Sequence, residues 1–355
     1  MTQLKIKRRH SNPRMPVLPL LVFIVLFSSL LAACALPPVQ ETSSIPTASK
    51  PAATFTPVST NTQTPSSTET WTSTPSTTIT LTPNPTQTPT PTKEPPIRFA
   101  VIGDYGGNGG PERDVADLVK SWQPEFIITT GDNNYPSGSA DTIDLTIGQY
   151  YHSFIYPYSG KSGAGADINR FFPTLGNHDW QTDRAAPYLN YFTLPGNERY
   201  YDFVWGPVHF FALDADSREP DGVSRNSIQA NWLKDALEAS DSPWNIVYFH
   251  QPPYSSGLHG STDWMRWPFQ QWGASAVLSG HDHTYERILH DGIPYFVNGL
   301  GGGSIYYFGT PVDGSQVRYA DDYGAMLVSA DKDQITFQFI NRKDKIIDTY
   351  SETGQ

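Results

Sequence analysis

The sequence predicts an α/β domain of four layers, α/β/β/α, in which two mixed sheets pack face to face beneath outer helices. Three observations predict it. Short apolar runs alternate with helical periodicity through the first part of the domain, which is the pattern of strand–helix–strand units. A Gly-Pro turn in the middle joins two strands too closely for anything but a hairpin, so parallel and antiparallel neighbours coexist. After about His283 the helical pattern stops and only short strands with turn signals follow, to about Tyr350.

Two segments precede that domain. Residues 1–34 read as an export signal: Lys5, Lys7, Arg8, Arg9 and Arg14 form a basic start, and an apolar stretch runs from about Pro16 to Leu31. The stretch ends in Leu31-Ala32-Ala33-Cys34, which resembles a bacterial lipobox. That resemblance implies lipidation of Cys34 and a lipoprotein anchored on the outer side of the cytoplasmic membrane or at the cell surface. An uncleaved membrane-spanning anchor is the alternative for so long an apolar run, and it leaves the rest of the chain outside the membrane as well. Cys34 is the only cysteine, so no intrachain disulfide forms. Residues 35–96 are Thr, Pro and Ser with repeated Thr-Pro pairs, too poor in apolar side chains to offset the entropy of ordering. They read as a disordered stalk. Residues 97–355 are then the one folded domain.

Charge excludes one class of partner. The chain carries a formal charge of −11; seven of its 24 basic residues but only three of its 35 acidic ones precede Ile97. The domain is left with 17 basic against 32 acidic residues, or −15. Nucleic-acid binding relies on basic patches that neutralise phosphates, so no nucleic-acid partner is expected. An anionic substrate would need positive charge supplied locally, as metal ions do.

Within the domain, Arg98–Ile102 and Phe126–Thr130 read as strands flanking a helix from about Pro111 to Trp122, with Val115, Leu118 and Val119 at helical spacing. Phe171–Leu175 is the next strand. Tyr200–Trp205 and Val208–Leu213 form the hairpin, and a helix follows from about Ser227 to Ala239. Asn245–Phe249 and Ala276–Ser279 are buried strands. Ile288–His290, Tyr295–Asn298, Ala325–Ala330, Gln334–Ile340 and Lys345–Tyr350 complete the β-rich half.

Five motifs follow five of these strands: Gly103-Asp104-Tyr105-Gly106, Gly131-Asp132-Asn133-Asn134-Tyr135, Gly176-Asn177-His178-Asp179, Phe249-His250-Gln251-Pro252 and Gly280-His281-Asp282-His283. Ligands gather at the C-terminal edge of strands in open α/β sheets, where side chains from neighbouring tips converge. Asp104 and Asp132 suit one metal and a bridge, Asn177 adds a neutral amide oxygen, and His250, His281 and His283 add imidazoles. Taken singly, an aspartate before glycine reads as a turn residue and a histidine after a strand as a core or surface residue. Their repetition in series points to a two-metal hydrolytic site.

The motif order resembles the calcineurin-like metallophosphoesterase superfamily, and within it the purple acid phosphatases. General members carry a histidine two residues after the first aspartate; here that position is Gly106, and Tyr135 follows Asp132. The resemblance implies that Asp104, Tyr135 and His283 hold Fe(III), that Asp132 bridges, and that Asn177, His250 and His281 hold Fe(II), Zn(II) or Mn(II). It implies that His178 faces the substrate phosphate and that His259 serves the leaving group. The His259 segment is similar to the small tartrate-resistant enzymes, while Tyr285-Glu286-Arg287 is similar to the larger plant-type ones. The expected reaction is hydrolysis of a phosphate monoester by hydroxide activated at the metals. A phosphodiesterase or nucleotide-cleaving relative is the alternative, its pocket shaped by the loop from Pro136 to Arg170 and by Tyr151, Tyr156, Trp264 and Trp267 if these are not core. A surface binding protein on an inactive phosphoesterase domain is a third reading, against which stand its filled ligand positions.

Overall fold

A computed structural model describes residues 95–354. The leader with Cys34 and the stalk up to residue 94 lie outside the described residues. Among the described residues no helix is long and apolar enough to cross a membrane.

The first strand, β1 (Ile97–Ile102), lies parallel to β2 (Phe126–Thr129), with Phe99 opposite Phe126 and Ile102 opposite Thr129. Helix α1 (Gly110–Ser121) makes the crossover; Pro111 starts it, and Val115, Ala116, Leu118 and Val119 are its buried stripe. β2 in turn lies parallel to β3 (Phe171–Pro173). The other side of β1 pairs antiparallel with β11 (Gly324–Ala330), followed outward by β12 (Gln334–Asn341) and β13 (Ile346–Thr353). This mixed sheet has six strands in the order β13-β12-β11-β1-β2-β3.

The second sheet has seven strands, β10-β8-β9-β7-β6-β5-β4. The hairpin β4 (Tyr201–Trp205) and β5 (Val208–Ala212) is antiparallel, and β5, β6 (Trp244–Tyr248), β7 (Ala276–Ser279) and β9 (Ile293–Asn298) run parallel. β8 (Tyr285–His290) and β10 (Ser315–Tyr319) close the far edge.

The alternation of side chains explains the layers. On β5 and β6, Phe210, Ile246 and Tyr248 join a core shared with Phe99, Val101 and Phe126 of the first sheet. Their neighbours Phe211, Val247 and Phe249 turn the other way, onto Ala230, Leu233 and Leu237 of α4 (Ile228–Glu238) and Phe269 of α5 (Phe269–Trp272). A strand buried on both faces therefore reads as one continuous apolar run. Ring packing fixes the sheet-to-sheet contact: Phe99 and Phe126 of the first sheet meet Phe210 of the second edge-on, at 5.0 Å and 5.3 Å. The expected four-layer sandwich of two mixed sheets is present.

Four details differ from the sequence expectation. β8 begins at Tyr285 rather than Ile288, β10 is an additional edge strand, and the loop after Pro136 contains helical residues at Asp144–Phe154, with α2 (Gln149–Tyr151) among them. A short helix α3 (Ala186–Tyr191) precedes the hairpin. Of the four aromatics weighed as pocket or core, Tyr151 and Trp267 are core, whereas Tyr156 and Trp264 are about half exposed (50% and 48%).

Candidate metal centre

The five motif segments meet at the C-terminal tips of β1, β2, β3, β6 and β7, so both sheets contribute. Three of the carrying residues adopt left-handed backbone, Asp104 at φ 54°, Asp132 at φ 52° and His281 at φ 69°. Such conformations cost about 1 kcal/mol or more each and persist where surrounding structure over-determines them. The glycines between them permit close approach. A Cβ on Gly131 (φ 88°) would lie 2.8 Å from the His250 ring, and one on Gly176 would lie 2.3 Å from the Asp132 carboxylate.

Seven of the side chains expected at the site come together, in two trios around one carboxylate. The Tyr135 hydroxyl is 3.3 Å from Asp104 Oδ1 and 3.0 Å from His283 Nε2. His283 Nε2 is in turn 3.4 Å from Asp104 Oδ1. On the other side, His250 Nε2 is 3.1 Å from Asn177 Oδ1 and 3.2 Å from His281 Nδ1. Asp132 Oδ2 lies between, 3.1 Å from the Tyr135 hydroxyl and 3.3 Å from His250 Nε2.

The donor set fits cations. His250 Nδ1 sits 2.7 Å from the Thr130 carbonyl, and His283 Nδ1 faces the Ser304 carbonyl. Each carbonyl fixes the ring proton on Nδ1, leaving Nε2 with its lone pair turned toward oxygen acceptors. Buried lone pairs aimed at one another require positive charge between them. Protonation answers that demand when no ion does. Burial opposes a charge on His250, but Asp132 and Asp104 outweigh it and push the imidazole up to about 10. Asp132 is held well below the usual carboxylate range, burial being outweighed by His250 and His178. Burial, then the Asp104 and Asp132 charges, push the Tyr135 phenol well above its ordinary value, so only a strong Lewis acid would make it a phenolate. His281 is pulled down to about 2 by burial and by the neighbouring His250 and His259, and stays a neutral donor. Asp104, Asp132 and His250 alone place their ligating atoms within 4.8 Å of one another.

Packing accounts for a tyrosine, and not a side chain at position 106, beside Asp104 and His283. A Cβ on Gly106 would sit 2.0 Å from the Asn133 carbonyl oxygen, so no side chain fits at that position. The Tyr135 amide donates to the Gly106 carbonyl at 2.9 Å, so the segment that excludes a side chain at Gly106 is the one that delivers the phenol.

His178 and His259 flank the two trios. His178 Nδ1 faces the Pro136 carbonyl, and its Nε2 is 3.9 Å from Asp132 Oδ2. His178 also lines a groove of about 430 Å³ with Tyr135, His283, Tyr306 and Tyr323. His259 is exposed, with its ring stacked 4.3 Å from that of His281.

Several residues that organise the site were not foreseen. Buried Asp179 accepts from the Asn133 amide, from Asn133 Nδ2 and from the Gly176 amide, tying the second and third motifs together. Asp282 accepts from the His259 and Gly260 amides and from Ser255 Oγ, which fixes the His259 loop. Tyr306 lies flat on His283 at 4.1 Å. A signal for the first two was present, an acid within each histidine motif, but their partners are backbone amides that only the fold brings near.

In sequence and in fold, this chain is similar to known proteins. Purple acid phosphatase 17 of Arabidopsis thaliana is 26% identical over 243 residues, covering 58% of this chain and 68% of that protein. Tartrate-resistant acid phosphatase type 5 of Homo sapiens is 25% identical over 244 residues, covering 58% and 73%. Among solved structures, the yellow lupin (Lupinus luteus) purple acid phosphatase PPD1 superposes with a TM-score of 0.59 at 17% identity, covering 74% of this chain and 54% of that one. GAP50, the anchor in the inner membrane complex of Plasmodium, also gives 0.59, at 20% identity and covering 74% and 90%. Those two structures share the fold. The profile described as calcineurin-like phosphoesterase matches residues 97–285, more than half of the sequence, and with its strand-tip motifs in place this chain belongs to that family.

Proposed function

We propose that this chain is an exported acid phosphatase that hydrolyses phosphate monoesters at a binuclear metal centre. The observation that carries the reading is the Tyr135 hydroxyl, set between Asp104, Asp132 and His283 where Gly106 leaves no room for a histidine. Asp104, Tyr135 and His283 would hold Fe(III), since phenolate and carboxylate suit a hard trivalent ion. Asn177, His250 and His281 would hold Fe(II), Zn(II) or Mn(II), with Asp132 shared. When bound, such a pair supplies positive charge for phosphoryl oxygens and lowers the pKa of water enough for attack below neutral pH.

The chain's own groups do the remainder. Carbonyls of Thr130 and Ser304 face Nδ1 of the two imidazoles, which turns both Nε2 atoms toward the carboxylates where the ions would replace a proton. His178, steadied at Nδ1 by Pro136, presents Nε2 to the groove, where it would bind a phosphoryl oxygen. His259, on the open side of His281, would give its proton to the leaving oxygen as the ester bond to phosphorus breaks. The whole chain, loaded with iron and zinc, is expected to be violet and to cleave 4-nitrophenyl phosphate faster than its bis ester. Tyr135→Phe is expected to lose the colour. A loaded wild-type protein without a charge-transfer band would sink the ferric–tyrosinate assignment.

We further propose that Cys34 carries the lipid anchor and residues 35–96 the stalk. The lipobox-like Leu31–Cys34 supports this reading. Cys34→Ala is then expected to move the protein out of the membrane fraction and to abolish labelling by a fatty-acid precursor; retention in membranes would favour a spanning anchor.

A further inference from the structure

A second cavity, of about 550 Å³, is lined by Trp180, Arg184, Leu189, Arg199, Arg218 and Pro220. Two of its three guanidiniums are already neutralised. Arg218 grips Asp216 through two contacts of 2.7 Å, and Arg199 binds Glu219 at 2.9 Å and Asp221 at 3.0 Å. Arg184 differs. It is exposed, and among the described residues it has neither a hydrogen bond nor an ion pair.

Its backbone is as unusual as its isolation. Asp183, Arg184 and Ala185 are consecutive left-handed residues, at φ 45°, 53° and 63°, and none is glycine. L-residues avoid such a run. It is held in place from both ends: Thr182 Oγ1 donates to the Ser137 carbonyl at 2.6 Å, the Ala185 amide donates to the Thr182 carbonyl at 3.0 Å, and Ala185 itself is buried. An exposed arginine at the apex contributes nothing to that packing. Strained backbone held by its surroundings is characteristic of segments that present a side chain to a ligand.

The cavity is one residue away from the metal-ligating groups. Arg218 Nη2 donates to the backbone carbonyl of Asn177 at 3.0 Å, and the side-chain oxygen of Asn177 belongs to the second trio. The segment 178–184 also serves both spaces, since His178 lines the groove while Trp180 and Arg184 line the cavity.

We propose that this cavity is a subsite for the leaving group, selecting phosphate monoesters whose alcohol carries a carboxylate, with Arg184 as the specificity-determining residue. The proposal rests on the phosphatase reading above. Trp180, Leu189 and Pro220 give apolar walls to the carbon body, and the single unpaired guanidinium matches a single negative charge. A dianionic group there would leave uncompensated charge in a domain that is already strongly acidic.

Phenyl phosphate and 4-carboxyphenyl phosphate form the matched pair for the test, with the metal-loaded whole chain as wild type, Arg184→Ala and Arg184→Lys. Arg184→Ala is expected to raise KM for the carboxylated ester about fivefold, as for an exposed ion pair, with kcat unchanged. Phenyl phosphate should be cleaved as by wild type, and Arg184→Lys should recover part of the loss. Equal changes on both substrates, or none on either, overturn the subsite. Calorimetric titration with phenylphosphonate and 4-carboxyphenylphosphonate separates this proposal from the phosphatase reading. If no preparation hydrolyses either ester, that reading falls, while preference for the carboxylated phosphonate that disappears in Arg184→Ala still supports the subsite. A preference of the same size in both proteins, or none in wild type, overturns it.

Discussion

Asp179 touches none of the candidate ligating atoms, yet it fixes where two of the motifs stand. Its carboxylate gathers the amides of Asn133 and Gly176. Asn133 also accepts from the Tyr105 hydroxyl and Thr129 Oγ1. A buried carboxylate among several donors is compatible with the interior because both of its oxygens accept hydrogen bonds. Burial and the Asp132 charge nonetheless push it up to about 7. Glu112 is the less satisfied acid. It is fully buried in the first turn of α1, and one carboxyl oxygen has no partner. Burial pushes it up to about 9, against the pull of the Asn108 and Gly109 amides. Because its folded pKa lies above its unfolded one, the folded state binds the extra proton. Its contribution is therefore intact below about 4.5 and is lost progressively as pH rises towards about 9. Glu112→Gln removes that dependence. Urea midpoints measured across this range should fall less steeply with pH in the variant than in wild type; parallel curves would show that Glu112 stays charged without penalty.

At the scale of elements, strand tips do the positioning, and glycines set how closely they approach. Gly131 illustrates the constraint, since φ 88° and a His250 ring 2.8 Å from any Cβ leave no neutral substitution. Gly131→Ala is expected to destabilise the fold by about 1–3 kcal/mol and to lower metal content, because the ring that must shift is His250. Thermal melting paired with metal analysis checks both; a variant with normal metal content would mean that the β2 tip yields instead. The elements were largely legible in the sequence for a simple reason. β1, β2, β6 and β7 are apolar runs ending in a Gly-Asp, His or Gly-His signal, and α1 and α4 carry clear helical stripes. β10 was not legible, because it is a half-exposed edge strand, Ser315–Tyr319, with a polar residue at alternate positions and a register shift. The helical turns at Asp144–Phe154 were hidden too. Their Asp144 carboxylate is bound by the Tyr158 and Tyr191 hydroxyls, contacts that no local pattern announces. Six candidate ligands were readable from the strand-tip motifs and Tyr135 from the family resemblance those motifs carry, whereas Asp282 and Tyr306, which hold His259 and His283 in place, depend on partners distant in sequence.

For the whole molecule, the centre is one of several places where polar groups join the two sheets; the Tyr248 hydroxyl on the Phe172 carbonyl, Asn298 Nδ2 on the Val101 carbonyl and the Arg287–Asp348 ion pair are others. Asp104, Asp132 and Asn177 come from the tips of one, His250 and His281 from the other. Ions bound there would link both halves of the sandwich and offset the repulsion of two buried carboxylates. Stripping the whole chain with a chelator is expected to lower its melting temperature, and restoring iron and zinc to recover it. Identical melting with and without ions would mean that the protein tolerates the bare site, leaving the ions no structural part. The order of strands has a mechanical corollary. β1 begins at Ile97, where the Thr/Pro/Ser-rich residues end, and lies between β11 and β2 rather than at an edge. Tension transmitted through the preceding chain would act along β1 and load two hydrogen-bonded ladders in shear at once. An edge strand would instead peel away one bond at a time. The chain thus enters the domain at a point suited to bearing a pull.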